Sequence, residues 1–436
     1  MNSSVNFLDR TLRLIREELV DGVGDETILN ALSSMTVLVR SDVSIATCHS
    51  GQTAIVTASL LMARCGLSVW VDVPDVELKA PQPPLHGRHL ASALEQFSED
   101  LGGLLHISRG QPIEPPALIL KLSNVRSGND TSRELQLSYG GWWGGFGSTD
   151  SPAHIDNPFG AMASAALAAA EALKHAMRRL ESLARNPEMF GRQFASSSEC
   201  KVSLVSENTE LVHNLEAIDI VSAGAVSNAV LFALLRIPEV SGTMRVIEPQ
   251  YYDNTNQNRC MLMTGASAGR LKAVDVADFR TPSLSIIPIV STLQEALLSG
   301  TLDSLAERVI VGVDDIPTRW EAQLAAPSWL SIGATTHWSA MSSFHFTDGP
   351  CARCLHPRND DDGAAYAPTI SFVSFWAGLW SAAYLIRSFT DDAGEAESVF
   401  LTPTRIENNT DIWKTAVPKS KLCPVHGLAP APEGDP

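Results

Sequence analysis

With 436 residues, the chain exceeds the length at which a single hydrophobic core keeps growing, and we expect it to form two domains. Hydrophobic residues make up 44% of the chain and charged residues 19%, a composition that excludes a largely disordered protein. The formal net charge is -17 and no long run of Lys or Arg occurs, which argues against nucleic acid as a partner.

Three features of the sequence bear on membranes and on the cellular compartment. Residues 1–20 alternate charged with apolar residues and lack the apolar core of a signal peptide. Residues 366–386 carry no charge, but Pro368 and Gly378 interrupt them, and we interpret the run as a strand followed by a buried helix rather than a membrane span. The seven cysteines form an odd set without a secretory signal, which favours a reducing compartment. We therefore expect a cytoplasmic protein with no membrane partner.

Each half of the chain predicts a βαβ unit with a glycine in the turn between its first strand and its helix. In the first half the predicted elements are a strand at residues 43–48, the turn at Gly51, a helix at 54–65 and a strand at 67–73. In the second half they are a strand at residues 217–222, the turn at Gly224, a helix at 225–235 and a strand at 243–248.

This repetition predicts an α/β fold of two tandem Rossmann-like doubly wound repeats. A long helix closes each half, at residues 161–180 and 372–388. We place the boundary at the polar cluster of residues 195–200, which gives domains of residues 1–195 and 196–436.

The turn around Gly224 has the small residues of a phosphate-binding turn. Ser222, Gly224 and Ser227 occupy its three glycine positions, and small side chains let the amides of a helix N-terminus approach a phosphate. Glu248, at the end of the following strand, suits the hydroxyls of a ribose. Because βαβ turns without a ligand look similar, this motif alone does not establish a nucleotide site.

Polar and basic residues follow Glu248 closely. Asn256, Asn258 and Arg259 lie in one short loop, where a guanidinium bridges phosphate oxygens and a carboxamide orients them. Lys272 comes soon afterwards and supplies a second positive charge. The sequence therefore predicts a polyphosphate site in the second half.

A buried strand at residues 308–313 ends in Asp314 and Asp315. An acidic residue at the carboxyl end of a parallel strand faces the ligand crevice, so Asp314 is a candidate Mg²⁺ ligand. The alternative is that an aspartate caps the next helix, and we expect this of one of the two.

Two pairs of metal-binding residues lie in the last hundred residues of the chain. Cys351 and Cys354 form a C-x-x-C pair, and Cys423 and His426 form a second pair of the same spacing. These four residues predict a tetrahedral, structural Zn²⁺ site in the second repeat.

In this order, the motifs resemble those of the ThiF/MoeB/ubiquitin-activating enzyme superfamily, whose pattern matches residues 210–430. That pattern contains a glycine turn, an acidic ribose ligand, Asn-x-Asn-Arg-Gln, Gly-x-x-Lys-Ala, Asp-Asn-x-x-Thr-Arg and two zinc-binding pairs. The matching positions are Gly224, Glu248, residues 256–260, residues 269–273, residues 314–319 and the four candidate zinc ligands. The chain departs from the pattern at Cys260, Glu248, Asp315 and His426, where the family usually has Gln, Asp, Asn and Cys.

The resemblance implies a bacterial enzyme that uses ATP and Mg²⁺ to adenylate the C-terminal glycine of a small ubiquitin-like protein, for transfer to a conjugating-enzyme-like partner. It assigns Glu248 to the ribose, Asn256, Arg259 and Lys272 to the phosphates and Asp314 to Mg²⁺. We expect Gly224, Ser227 and Asn258 to line the same site, and Arg259, Lys272 and Asp314 to be the catalytic residues.

The first half resembles the inactive partner repeat of ubiquitin-activating enzymes, because it has no Asn-x-Asn-Arg motif after Asp72. The chain would then be a pseudo-dimer of two repeats, and a homodimer of chains stays open. In the family an arginine from an N-terminal helix of the partner repeat reaches the triphosphate. Arg10, Arg13 and Arg16 are the candidates here.

Many relatives carry a nucleophilic cysteine in the segment after the first zinc pair, but residues 357–371 contain none. Three outcomes stay open. The enzyme forms no covalent intermediate, which we favour, or it forms an oxyester on Thr369 or Ser371, or a thioester on Cys200 or Cys260.

Other functions share parts of this pattern. A sulfur-carrier or peptide adenylyltransferase uses the same nucleotide residues, and a catalytically silent nucleotide-binding scaffold keeps the fold and the zinc. A dinucleotide-dependent oxidoreductase shares the turn and Glu248 but gives no role to Arg259, Lys272 and Asp314 together.

Overall fold

The structure is a computed structural model of the chain. It describes residues 7–102, 104–123, 134–147, 150–325, 327–347, 349–356, 367–390, 396–406, 411–421 and 423. The strands form two mixed sheets, of seven and of eight strands. One sheet lies before residue 210 and the other after it, and we call these parts the first half and the second half.

The sheet of the first half contains β1 (Thr36–Ser41), β2 (Ser68–Asp72), β3 (His106–Arg109), β4 (Leu118–Leu122), β5 (Glu134–Tyr139), β6 (Trp143–Phe146) and β7 (Cys200–Ser203). Its order is β3-β2-β1-β4-β5-β6-β7. The strands from β3 to β5 pair parallel, whereas β6 and β7 pair antiparallel. The parallel order 3-2-1-4 is that of a Rossmann-like sheet.

The sheet of the second half contains β8 (Asn214–Val221), β9 (Ser241–Ile247), β10 (Leu284–Ile289), β11 (Arg308–Val311), β12 (Trp329–Thr336), β13 (Ser339–Phe346), β14 (Glu397–Leu401) and β15 (Trp413–Ala416). Its order is β10-β9-β8-β11-β12-β13-β14-β15. The strands up to β12 pair parallel and the rest antiparallel. The first seven strands of this sheet therefore repeat the order and directions of the first sheet.

Helices connect the strands and cover the sheets. They are α1 (Asp9–Glu17), α2 (Asp25–Ser33), α3 (Val43–Ala46), α4 (His49–Arg64), α5 (Leu90–Asp100), α6 (Phe159–Met177), α7 (Pro187–Gln193), α8 (Ala225–Leu234), α9 (Lys272–Ala277), α10 (Leu293–Leu298), α11 (Ile316–Leu324), α12 (Ala352–Leu355) and α13 (Ser371–Arg387). Short 3₁₀ helices occur at Arg178–Leu183, Asn254–Asn256, Gly265–Ser267 and Pro403–Arg405.

Four helices join the two halves into one hydrophobic core. Helix α13 packs against α8 in its own half and against α6 and α4 of the first half. It approaches α8 closely because Gly378 has no side chain. A Cβ at this position would lie 2.5 Å from the carbonyl oxygen of Val226 and 2.8 Å from the backbone nitrogen of Val230.

The α/β class and the two Rossmann-like sheets are confirmed, but the strand predicted at residues 43–48 is wrong. This segment forms α3, and the strand lies before it as β1. Asp42 caps α3 by accepting a hydrogen bond of 3.0 Å from the backbone nitrogen of Ile45. The strand β7 pairs with β6, so the first sheet extends beyond residue 195.

The uncharged run that was predicted as a strand and a buried helix contains the helix, α13. Residues 367–370, which precede it, are not a strand. Among the residues that the structure describes, no helix has both the length and the apolar character that crossing a membrane requires.

Replacing Gly378 with alanine is expected to separate α8 from α13, because the new Cβ meets backbone atoms that cannot turn away. We expect Gly378→Ala to lower the free energy of unfolding by about 1–3 kcal/mol. Chemical denaturation measures this change.

Gly191→Ala is the matched control, since Gly191 lies in α7 and its Cβ would meet only the flexible side chain of Glu181, at 3.3 Å. This variant is expected to be neutral or about 0.5–1 kcal/mol more stable, because alanine is the better helix former. Equal losses in the two variants would contradict the close packing of α8 and α13.

Candidate active site

The turn between β8 and α8 is held by its own side chains. Ser222 has a φ of 98°, a left-handed conformation that is uncommon for a residue other than glycine. Its hydroxyl accepts a hydrogen bond of 2.9 Å from the backbone nitrogen of Gly224, which is the N-cap of α8. The side-chain amide of Asn228 donates to the carbonyl of Ala223, at 2.8 Å. Contacts within the protein therefore hold the turn in this conformation.

Glu248 follows β9 and is bound to this turn. One carboxylate oxygen accepts a hydrogen bond of 3.0 Å from the backbone nitrogen of Ala223, and the other accepts one of 2.9 Å from that of Gln250. The side chain is 5% exposed. Because β8 and β9 are adjacent parallel strands, the predicted ribose ligand and the predicted phosphate turn lie side by side. The side chain of Ser227 is also buried, with 0% exposure.

In the loop that contains the predicted phosphate ligands Asn256, Asn258 and Arg259, the asparagine side chains hold the backbone and Arg259 in place. The side-chain oxygen of Asn256 accepts a hydrogen bond of 3.1 Å from the backbone nitrogen of Asp253 and caps a 3₁₀ turn. Arg259 donates to the carbonyl of Thr255 at 2.7 Å and to the side-chain oxygen of Asn258 at 2.8 Å. Asn256 and Asn258 are buried, whereas Arg259 is half-buried. The structure thus gives both asparagines a role in shaping the loop that carries Arg259.

Lys272 is the first residue of α9 and is 8% exposed. Its ammonium group donates a hydrogen bond of 2.8 Å to the side-chain oxygen of Gln250. Within the described residues no salt bridge joins Lys272 to a carboxylate. A nearly buried cation with a neutral partner is well suited to an anionic ligand.

The two aspartates after β11 have different roles. Asp315 is the N-cap of α11, because its carboxylate accepts a hydrogen bond of 2.7 Å from the backbone nitrogen of Thr318. The expectation that one of the pair caps this helix is therefore confirmed. Asp314 is exposed. It follows the strand next to β8, so that Gly224, Glu248 and Asp314 come after three adjacent parallel strands.

Arg10 on α1 is the residue of the first half that interacts electrostatically with the candidate site. Burial lowers the pKa of Arg10, nearby Arg259 and Arg13 lower it further, and Asp314 and Asp9 act in the opposite direction. The N-terminal helix thus places Arg10 within electrostatic range of Arg259 and of Asp314. Bringing arginines together costs free energy unless an anion lies between them.

Arg319 supports the carbonyl that precedes Asp314. Two nitrogens of its buried guanidinium donate to the carbonyl of Val313, at 3.1 and 2.9 Å. A third lies 3.1 Å from the Nε2 atom of His356, whose carbonyl accepts a hydrogen bond of 2.9 Å from the indole of Trp320. The end of β11 is thereby tied to the segment that follows the first cysteine pair.

Three cysteines of the predicted zinc site come together. The sulfur of Cys351 lies 3.9 Å from that of Cys354 and 3.6 Å from that of Cys423, and all three thiols are buried. A tetrahedral zinc with Zn–S bonds of about 2.3 Å separates its sulfurs by about 3.8 Å, so the three thiols fit a zinc ion. The predicted fourth ligand, His426, lies outside the described residues.

The candidate acyl acceptors are all buried. The hydroxyl of Ser371 donates a hydrogen bond of 2.9 Å to the carbonyl of Leu61, and Thr369 is 6% exposed. Cys200 and Cys260 are each 1% exposed. Burial raises the pKa of Cys260, although Arg259 lowers it, which opposes formation of a thiolate. The assignment of an acceptor stays a prediction, and none of these four groups faces solvent in this conformation.

The corresponding turn of the first half is filled by the chain itself. Helix α3 lies between β1 and α4, and Ile45 packs so closely on Gly51 that a Cβ at Gly51 would overlap the Ile45 carbonyl. The thiol of Cys48 caps α4 by accepting from the backbone nitrogen of Gly51, at 3.3 Å. Asp72, at the position of a ribose ligand, accepts a hydrogen bond of 3.0 Å from Arg40.

Sequence reasoning missed several residues that shape the site. Arg64 of the first half donates to carbonyls of the loop after Asn256, and Thr11 accepts a hydrogen bond of 3.2 Å from the side chain of Asn258. Arg319 was noted only as part of a motif. A local sequence pattern does not predict these contacts, because the residues that make them lie far apart in the sequence.

Part of the chain matches a described protein family. Residues 36–190 match the family described as the BilD N-terminal domain. A curated relative, the uncharacterized protein y4jF of Sinorhizobium fredii, is 24% identical over 366 residues. The alignment covers 80% of this chain and 65% of y4jF, so the chain spans less than two thirds of that relative's length.

Among solved structures, this chain is similar to MccB of E. coli. The structure of MccB with ATP is 14% identical, with a TM-score of 0.42, and the match covers 67% of this chain and 98% of MccB. The microcin C7 biosynthetic enzyme MccB in complex with N-formylated MccA gives the same values. A TM-score of this size assigns neither fold nor activity to this chain.

The cysteine cluster predicts that the purified protein contains about one zinc ion per chain. Cys354→Ser and Cys423→Ser are each expected to lose the metal, because each removes a thiolate ligand. Elemental analysis by mass spectrometry measures the metal content.

Cys200→Ser is the matched control, because Cys200 is equally buried but lies in β7, outside the cluster. It should keep the metal of the parent protein. A parent protein free of zinc, or equal metal loss in Cys200→Ser, would show that the cluster is not a zinc site.

Proposed function

We propose that this chain is an ATP-dependent adenylyltransferase that activates the C-terminal carboxylate of a small ubiquitin-like protein, for transfer to a conjugating-enzyme-like partner. The observation that carries the proposal is that Gly224, Glu248 and Asp314 follow three adjacent parallel strands of a Rossmann-like sheet, with Arg10 in electrostatic range of Arg259 and Asp314. A phosphate-binding turn, paired arginines and an exposed aspartate are the groups that Mg-ATP requires.

Each residue has a defined role in this proposal. The amides at the start of α8, after Gly224, face the phosphates, and Glu248 accepts hydrogen bonds from the ribose hydroxyls. Arg259 and Lys272 neutralise the polyphosphate, and Arg10 adds a charge from the first half. Asn256 and Asn258 hold the loop that presents Arg259.

The reaction is an in-line displacement at the α-phosphorus. A carboxylate oxygen of the protein substrate forms a bond to that phosphorus, and the bond from phosphorus to the oxygen shared with the β-phosphate breaks. Pyrophosphate leaves with the electron pair, and the acyl adenylate remains. The deprotonated carboxylate needs no general base, so the enzyme acts by positioning the reactants and by stabilising charge.

Asp314 is the residue that would hold Mg²⁺. An exposed carboxylate at the carboxyl end of β11 is the oxygen donor that this ion prefers, and it lies near the arginines that would contact the phosphates. When bound, Mg²⁺ neutralises charge on the phosphate oxygens and on the leaving pyrophosphate. Arg319 holds the carbonyl of Val313, directly before Asp314.

The first half is assigned a supporting, catalytically inactive role. Its own strand-to-helix turn is occupied by α3, and Asp72 is engaged by Arg40. It contributes Arg10 to the site of the second half instead. The chain thus acts as a pseudo-dimer with one nucleotide site.

A second candidate function is adenylation of a sulfur carrier or a peptide. The observation that favours it is the burial of Cys200 and Cys260, together with the hydrogen bonds of Ser371. Among the cysteines that the structure describes, only Cys48 is partly exposed, and its thiol caps α4 in the first half. Activation without a covalent enzyme intermediate fits both functions, and the identity of the small protein decides between them.

Titration calorimetry with Mg-ATP tests the nucleotide site without knowledge of the protein substrate. We expect the parent chain to bind Mg-ATP, and Arg259→Ala and Lys272→Ala each to weaken binding by about tenfold or more, since each removes a charged hydrogen bond. Asp314→Asn is expected to weaken Mg-ATP binding while changing the binding of metal-free ATP much less.

Asp315→Asn is the matched control, because asparagine also caps a helix and the cap is the role of Asp315. Its affinity for Mg-ATP should equal that of the parent. Binding of NAD in place of ATP would identify an oxidoreductase. ATP binding without ATP–pyrophosphate exchange, measured with candidate small proteins that end in glycine, would identify a silent scaffold.

A further inference from the structure

A buried arginine of the first half reaches the nucleotide loop of the second half. Arg64 lies at the end of α4, and its side chain is 0% exposed. Its guanidinium donates to the carbonyl of Gln257, to that of Met261 at 3.3 Å and to that of Met263 at 2.8 Å. One side chain therefore joins both ends of the loop segment that runs through Arg259.

Arg64 has no acidic partner among the described residues. Burial lowers its pKa to about 10, so it keeps its charge at neutral pH. The side chain of Phe97 lies 5.8 Å away, with the guanidinium over its ring. A buried cation is costly to desolvate, and a well-packed apolar side chain in its place is often neutral or stabilising. Stability alone therefore does not account for an arginine at this position.

The hydrogen bonds that hold the loop of residues 257–263 explain why position 64 is an arginine. On the other side of the loop, the side-chain oxygen of Asn228 accepts a hydrogen bond of 3.1 Å from the backbone nitrogen of Leu262. The amide of the same asparagine holds the carbonyl of Ala223 in the turn before α8. The loop is thus fixed between Arg64 of the first half and the nucleotide turn of the second.

A further contact from the first half reaches the same loop. The side-chain amide of Asn258 donates to the hydroxyl of Thr11, which lies next to Arg10 on α1. A planar guanidinium with several donors in fixed directions holds three carbonyls better than a hydroxyl or an ammonium group does.

We propose that Arg64 is a positioning residue, through which the first half holds residues 257–263 in the conformation that binds the nucleotide. The inference rests on the proposed function for the nucleotide itself. It gives the inactive half a second role besides delivering Arg10. The affinity for ATP then depends on the docking of the two halves and not on the second half alone.

The test compares Arg64→Met with Arg236→Met in the full chain. Arg236 is the matched control, because it is also buried and also joins the halves, with hydrogen bonds of 2.8 Å to the carbonyl of Phe232 and 2.7 Å to that of Pro83. None of its partners belongs to residues 257–263. Both variants lose a buried cation, but only one loses contact with the loop.

Two measurements are made on each variant. Hydrogen–deuterium exchange of the ligand-free protein, read by mass spectrometry, reports whether residues 257–263 open. Titration calorimetry with Mg-ATP reports affinity per folded molecule. For Arg64→Met we expect faster hydrogen exchange confined to residues 257–263, and an affinity for Mg-ATP lowered by about tenfold or more. Arg236→Met should lose a comparable amount of melting temperature but show neither of these changes.

The outcomes separate this inference from the proposed function. Unchanged loop exchange in Arg64→Met, or equal loop exchange in both variants, would overturn the positioning role. If the parent chain does not bind Mg-ATP, the proposed function fails, yet faster loop exchange still shows that Arg64 holds the loop. If Arg64→Met does not fold, Arg64→Lys replaces it. Arg64→Lys keeps the positive charge but not the planar guanidinium with its several donors. It should therefore loosen the loop less than Arg64→Met would.

Discussion

Parallel pairing of β9, β8 and β11 is the constraint on which the candidate site depends. Because parallel strands end at the same edge of a sheet, Glu248, the turn at Gly224 and Asp314 are brought together by the backbone alone. Lys272, at the start of α9, is linked to this edge by its hydrogen bond to Gln250, two residues after Glu248. Any shift in the register of these strands would separate the acidic residues from the turn.

The second feature of the site is its group of positively charged side chains. Arg10 and Arg259 lie within electrostatic range of each other, and the partner of Lys272 is a neutral amide. The protein as a whole is acidic, with a formal net charge of -17, so this group of cations differs from the rest of the chain. A cluster of this kind is stable when an anion of high charge is bound, and a polyphosphate meets that requirement.

The two halves share one strand order in their sheets but differ in the turn that follows the first strand. In the first half α3 fills the turn, and in the second half the turn is open and ordered by Ser222 and Asn228. The first half contributes side chains across the shared core: Arg10 lies in electrostatic range of Arg259, and Arg64 donates hydrogen bonds to the loop that carries Arg259. In the proposed function, the first half therefore supplies residues to the site of the second half.

The sequence predicted the elements whose signals are local. The α/β class follows from the alternation of short apolar runs with helices, and one of Asp314 and Asp315 was expected to cap α11, as Asp315 does. The strand predicted at residues 43–48 was wrong because Asp42 caps a helix there, while the preceding run at Thr36–Ser41, equally rich in β-branched residues, forms the buried strand β1.

Contacts between distant residues lay beyond such reasoning. Arg64 and Met263 are 199 residues apart, and nothing in the pattern around either one indicates the other. The burial of Ser371 depends in the same way on Leu61 of the other half. Of the four predicted zinc ligands, three cysteines meet as spacing suggested, and His426 stays a prediction.

The most direct test is a crystal structure of the full chain with Mg²⁺ and a non-hydrolysable ATP analogue. The proposed chemistry predicts one nucleotide per chain at the carboxyl ends of β8, β9 and β11, with its ribose at Glu248 and its phosphates between Arg10, Arg259 and Lys272. A nucleotide bound in the first half, or a site in the second half that stays empty at saturating nucleotide, would contradict it.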